Sequence, residues 1–231
     1  MAGHQKTIMA ADDGSFDAYV SEPAQPNGHA VIVLQEIFGV TRHVRGIADR
    51  FAEDGYVAYA PDLFWRMERG VQLSHSKEDM QKAFGLLEKY RDDDGLADIV
   101  STAAVIRARP GFRGRVAVAG LCLGGKLAYL AATLEEVDAA VGYYGVGIEQ
   151  QLDAAQAMRC PLQLHFGGQD KYVSEAARAQ IAQALRDKPV EMHLYPQADH
   201  GFYTRGAQGD IDLARTRTNS FLGRALQDGA P

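Results

Sequence analysis

The segment Gly120-Leu121-Cys122-Leu123-Gly124-Gly125 constrains this chain more than any other. A strand-like run, Arg115 to Ala119, precedes it, and a helical run, Lys126 to Ala131, follows it. A sharp strand-to-helix turn forces its central residue into an unusual backbone conformation and lifts that side chain above a sheet. Bulky neighbours clash there, so small residues flank the centre. Gly120 and Gly124 meet that demand, and Cys122 stands where the usual pattern has serine. The swap predicts thiolate rather than alkoxide chemistry. Taken alone, the string also fits a strand-to-helix turn around an inert buried cysteine.

The rest of the chain places this turn in an alternating pattern. Thr7–Ala10 and Phe16–Val20 flank Asp12-Asp13-Gly14 and read as a hairpin. Ala30–Leu34 and Tyr56–Ala60 read as buried central strands. Between them Val44, Ile47, Ala48 and Phe51 form a one-sided stripe at helical spacing that stops near Gly55. An irregular connection over 62–75 holds the only tryptophan, Trp65. Two helical stretches follow, near 77–90 and 96–108, split by Asp92-Asp93-Asp94-Gly95. Strands recur near 115–119, 138–144, 161–166 and 190–195, and helices near 124–133, 174–186 and 210–226, with Ser174 as an N-cap. Strands alternating with helices predict an α/β fold with a mainly parallel sheet covered on both faces. No repeat or linker divides the chain, so one domain over 1–231 is expected.

Composition narrows the function. The chain has 231 residues, 46% of them hydrophobic, enough for one large core. Its formal charge of −6 comes from interspersed charges of both signs, so no nucleic-acid surface is expected. The seven histidines are scattered without metal-ligand spacing, so neither a metal nor another cofactor is expected. Only two cysteines occur, Cys122 and Cys160, as in proteins of a reducing cytosol. Met1–Thr7 lacks the apolar stretch of a signal peptide, and no run approaches the roughly 20 apolar residues that span a bilayer. A cytoplasmic protein without membrane partners, monomeric or weakly dimeric, is expected.

A nucleophile on such a turn needs a base and an acid, and in this architecture they follow it in the order acid, then histidine. Asp170 lies just past the strand that ends at Phe166, and His200 past the one that ends at Tyr195. Open α/β sheets place their sites beyond the carboxyl ends of their strands. His200 takes the thiol proton in this reading, and Asp170 holds the imidazole in the right tautomer. Asp199 is adjacent to His200, and sequence neighbours face each other poorly. Cys160, before Pro161, reads as structural, and His165 and His193 fall within strands, where packing roles are expected. An oxyanion hole draws on two backbone N–H groups, one after the nucleophile and one from the loop after an early strand. Leu123 and Ile37 hold those places.

Gln35-Glu36-Ile37-Phe38-Gly39, Gly120–Gly125, Gly142-Tyr143-Tyr144-Gly145-Val146-Gly147, Gly167-Gly168-Gln169-Asp170 and His200 together resemble the dienelactone hydrolases, over about residues 5–225. The resemblance implies an α/β-hydrolase fold, a Cys122, His200, Asp170 triad, and a small lactone or ester as substrate. It also implies that Glu36 contacts the resting thiol and moves away when substrate binds. A helix N-terminus favours a thiolate by about 0.3–1 kcal/mol, at most ~2. A carboxylate about 4 Å away opposes it by ~4 kcal/mol at an effective dielectric near 20, so the thiol stays protonated until the carboxylate leaves. Phe38, Tyr143 and Tyr144 line the pocket by the same resemblance, with core packing as the alternative role for each.

One departure stands out. The two arginines that hold a substrate carboxylate in this family correspond to Met80 and Thr204 here, with Arg205 beside the second. The alternatives are therefore a general carboxylesterase or acyl-transfer enzyme with the same triad, and a non-catalytic ligand-binding relative.

Overall fold

The computed structural model describes residues 3–227; the expectations for Met1 and Ala2 lie outside the described residues. Two compact units divide between Val116 and Ala117.

In the first unit, β1 (His4–Met9) and β2 (Ser15–Ser21) form an antiparallel hairpin. The Ala10 N–H donates to the Gly14 carbonyl at 2.9 Å, closing the turn that Asp12-Asp13-Gly14 predicts. β2 buries Phe16, Ala18 and Val20 and exposes Asp17, the period-two pattern of a strand with one face on a core. β3 (Ala30–Leu34) and β4 (Val57–Pro61) are buried at every residue, as continuous apolar runs require. β4 pairs antiparallel with β2 and parallel with β3. Parallel neighbours need a crossover, and α1 (Arg42–Glu53) supplies it. It buries the predicted stripe Val44, Ile47, Ala48 and Phe51, and its cap, Thr41, accepts from the Val44 N–H.

Two more helices complete this unit, α2 (Lys77–Leu87) and α3 (Asp92–Arg107). The pattern predicts their break at Asp92–Gly95, whereas the structure breaks over 88–91. Asp92, Asp93 and Asp94 form the first turn of α3 instead. Negative side chains there offset the positive end of the helix dipole, so a cluster that reads as a turn is also a good helix start. Asp98 of α3 is fully buried and anchors the irregular segment over 62–75. It accepts from the Trp65 indole N–H at 2.9 Å and the Arg66 guanidinium at 2.8 Å. Burial pushes its carboxyl up, and these donors oppose the rise.

In the second unit, β5 (Val116–Leu121), β6 (Ala139–Tyr143), β7 (Leu162–Gly167) and β8 (Val190–Tyr195) pair in parallel in that order. α4 (Leu123–Ala131) links the first pair and α5 (Glu175–Ala184) the last. Ser174 caps α5 by accepting from the Ala177 N–H at 3.1 Å. α6 (Phe202–Arg205) and α7 (Gln208–Ala225) follow β8. Neither the single-turn α6 nor the 3-10 helices Ile148–Gln150 and Leu152–Ala157 has enough residues for a periodic signal.

Candidate active site

β5 delivers Cys122 directly to the N-terminus of α4. The residue is half-buried, with φ 54° and ψ −109°, a conformation that side-chain-bearing residues rarely adopt. Its N–H donates to the Tyr143 carbonyl at 3.0 Å, which ties the turn to the end of β6. Two glycines make this approach possible. A Cβ on Gly120 would lie 1.9 Å from the Gly124 carbonyl oxygen, and one on Gly125 would lie 2.5 Å from that of Tyr143. Leu123, the first residue of α4, is buried.

Asp170 and His200 meet because β7 and β8 run in parallel, with Gly167 opposite Tyr195. The loops beyond those residues leave the same end of the sheet. Backbone bonds from Gly168 to Tyr195, 2.7 Å, and from Gln169 to Ala198, 2.9 Å, join them. His200 Nδ1 lies 2.8 Å from Asp170 Oδ2. The other carboxylate oxygen accepts the N–H groups of Tyr172 at 2.8 Å and Val173 at 3.2 Å. A carboxylate at Nδ1 requires the proton on that nitrogen, which leaves Nε2 as the acceptor. Asp199 has a different task, since its side chain accepts the N–H of His200 at 2.7 Å.

Aromatic rings surround this pair. Tyr144 (φ 42°) is fully buried, with its ring centroid 4.9 Å from that of His200. Tyr143 packs between Tyr203 and His165, at 4.1 and 4.7 Å. His165 is fully buried and bonded at both nitrogens, to the Tyr195 hydroxyl at 2.8 Å and to Gln163 Oε1 at 2.9 Å. The glutamine oxygen can only accept, so His165 Nε2 carries the proton and Tyr195 donates to Nδ1. Burial holds the imidazole well below its ordinary pKa. His165 thus has the buried structural place expected of it, whereas His193 is partly exposed, 3.6 Å from Glu191. Cys160 is also buried, its thiol pushed up to about 12 by desolvation.

In the first unit, Gln35, Glu36, Ile37 and Phe38 are all buried in the loop after β3. Gln35 Oε1 accepts the Leu63 N–H at 3.1 Å, and the Phe38 carbonyl accepts the Leu73 N–H at 2.9 Å. The first ties the Gln35 side chain, and the second the backbone just after Ile37, to the segment over 62–75. Glu36 and Phe38 border a groove of about 350 Å3 whose lining also includes Arg42, His43 and His75. Among the described residues no group of three or more His, Cys, Asp or Glu side chains forms a metal site.

A family model, the dienelactone hydrolase family, matches residues 16–225. The chain belongs to that family. It is 36% identical over 214 residues to the carboxymethylenebutenolidase of Pseudomonas sp. (strain P51), covering 92% of this chain and 89% of that one. It is 34% identical over 215 residues to the carboxymethylenebutenolidase of Pseudomonas putida, covering 92% and 91%. Among solved structures, one from Klebsiella pneumoniae assigned to the dienelactone hydrolases superposes with a TM-score of 0.84 at 26% identity, covering 97% of this chain and all of that one. The fold is that of the α/β hydrolases, and this dienelactone hydrolase family member is an enzyme of the hydrolase class.

Met80, Thr204 and Arg205, named above for an expected substrate-carboxylate site, lie in different surroundings in this dienelactone hydrolase relative. Met80 is half-buried on α2. Thr204 donates its hydroxyl proton to the Gly201 carbonyl at 2.9 Å. Arg205 lies against its own loop, 3.3 Å from Thr204 Oγ1 and 3.4 Å from the His200 carbonyl. Two residues without a sequence signal also shape the site. Arg178 of α5 donates to the Gly167 and Val173 carbonyls, bracketing the loop that carries Asp170. Tyr172 places its ring 4.8 Å from His200. Neither belongs to a motif, and only the loop's path brings them there.

Proposed function

We propose that this enzyme hydrolyses small lactones or activated carboxylic esters through an acyl-thioester on Cys122. The observation that carries the proposal is the Asp170–His200 bond, which leaves imidazole Nε2 as the acceptor in the unit that also holds the strained Cys122. His200 takes the thiol proton, and the sulfur attacks the carbonyl carbon. The N–H groups of Leu123 and Ile37 receive the developing oxyanion. The carbon–oxygen bond breaks, and the leaving oxygen takes the proton from His200. Water then gives a proton to His200 and attacks the thioester, and the departing sulfur is reprotonated. Glu36 restrains the thiol in the resting enzyme. Phe38, Tyr144 and Arg205 contribute to substrate binding.

An enol lactone leaves as a stabilised enolate and needs little acid assistance, which suits a cysteine nucleophile. The engagement of Thr204 and Arg205 with their own loop favours a second reading, an esterase without preference for a substrate carboxylate. A panel of dienelactone, its neutral ester and p-nitrophenyl acetate separates the two. Strong preference for the free acid supports the first, and equal rates support the second. Mass spectrometry of a quenched reaction tests both, since each requires an acyl adduct on Cys122.

The two units are proposed to serve as one hydrolase domain over 1–231, monomeric or weakly dimeric, in the cytoplasm, with no nucleic-acid or membrane partner. Among the described residues no helix is long and apolar enough to cross a membrane.

A further inference from the structure

We infer that Tyr172 is a specificity-determining residue that offers an aromatic platform beside His200 to planar, conjugated esters, an inference that rests on the Cys122, His200, Asp170 reading above. Large aromatic side chains are usually well covered, yet Tyr172 is 55% exposed. Its position is nonetheless defined. The backbone N–H donates to Asp170 Oδ1 at 2.8 Å, and the ring meets the His200 imidazole edge-on, with centroids 4.8 Å apart and planes at 61°. The carboxylate that orients the imidazole therefore also fixes where the tyrosine begins.

Tyr144 differs from Tyr172 in exposure. The Tyr144 ring makes a similar edge contact with His200, centroids 4.9 Å apart at 65°, but is fully buried. Tyr144 has no ring surface open to water. Tyr172 keeps half its surface in water next to the residue proposed to move protons. A planar π-system reaching His200 can stack on that surface and displace water from it. A saturated group of similar size gains the apolar contact without the stacking geometry.

The test compares phenyl acetate with hexafluoroisopropyl acetate, whose leaving groups are of comparable acidity, for wild type, Tyr172→Phe and Tyr172→Leu. Both variants keep the backbone N–H that binds Asp170, and the half-exposed site tolerates either side chain. We expect Tyr172→Leu to lower the ratio of kcat/KM values, phenyl over fluoroalkyl, by about 3- to 10-fold through KM. Tyr172→Phe should retain the wild-type ratio. An unchanged ratio in Tyr172→Leu, or an equal loss in both variants, overturns the inference while leaving the triad reading intact. Absence of an acyl adduct on Cys122 in wild type overturns both.

Discussion

The carboxylate of Asp170 accepts a hydrogen bond from Nδ1 of His200 at 2.8 Å while its second oxygen accepts the N–H groups of Tyr172 and Val173. Its side chain is fully buried, and each of these contacts uses a carboxylate oxygen as the acceptor. The bond selects one imidazole tautomer, which is the state a general base at Nε2 requires.

Replacing that acceptor changes the tautomer without changing the shape. Asp170→Asn presents either an amide oxygen or an N–H to Nδ1 and no longer stabilises an imidazolium. We expect kcat to fall by about 10²- to 10⁴-fold with an unchanged circular dichroism spectrum. Steady-state kinetics on p-nitrophenyl acetate checks this, and a loss below tenfold contradicts the assigned role.

The backbone at Cys122 carries strain that is separable from its chemistry. Both Cys122→Ala and Cys122→Gly should abolish turnover and keep the fold. The positive φ costs alanine about 1–3 kcal/mol, whereas glycine adopts it freely at an entropy cost of about 0.5–1 kcal/mol. Cys122→Gly should therefore be more stable than Cys122→Ala by about 1 kcal/mol. Urea denaturation of the two inactive proteins measures the difference, and a more stable alanine variant rules the strain out.

The two thiols should react very differently. Cys160 is buried with its thiol pushed up to about 12, so about 10⁻⁴ of it is thiolate at pH 8. Cys122 is half-buried at a helix N-terminus. Iodoacetamide at pH 8 should label Cys122 alone in the native protein, read by peptide mass mapping. If Glu36 restrains the thiol as proposed, Glu36→Ala should accelerate that labelling several-fold without substrate. Equal rates for wild type and variant reject a restraining role for Glu36.

Acid sensitivity should trace to His165. Its folded-state pKa is depressed by burial, so the native imidazole is neutral while the unfolded one takes a proton below about pH 6.5. The stability it contributes is complete above that pH and is lost as pH falls below it. The loss approaches about 1.4 kcal/mol per pH unit for one uncompensated proton. His193, also depressed by burial, adds in the same direction. Urea midpoints at pH 7, 6 and 5 should decline, and His165→Phe should show a shallower decline whatever its absolute stability. Parallel declines for both proteins exclude His165 as the source.

Much of this molecule was legible in local pattern. The run Ala30–Leu34, the stripe from Val44 to Phe51 and the turn around Cys122 follow from backbone period and steric demand, which act within a few residues. The aspartates at 92–94 were misleading because one composition serves both a turn and a helix start, and neighbouring packing decides between them. Chain order identified Asp170 and His200 as partners. Adjacency in sequence already argued against Asp199, but the contact itself and the separate task of Asp199 came from the register of β7 on β8 and the bonds joining the loops beyond. The exposed ring of Tyr172 beside His200 and the buried bonds of His165 also needed the tertiary structure. A sequence encodes local conformational preference residue by residue. Which side chains meet across 30 positions depends on strand pairing, a cooperative outcome of the whole core.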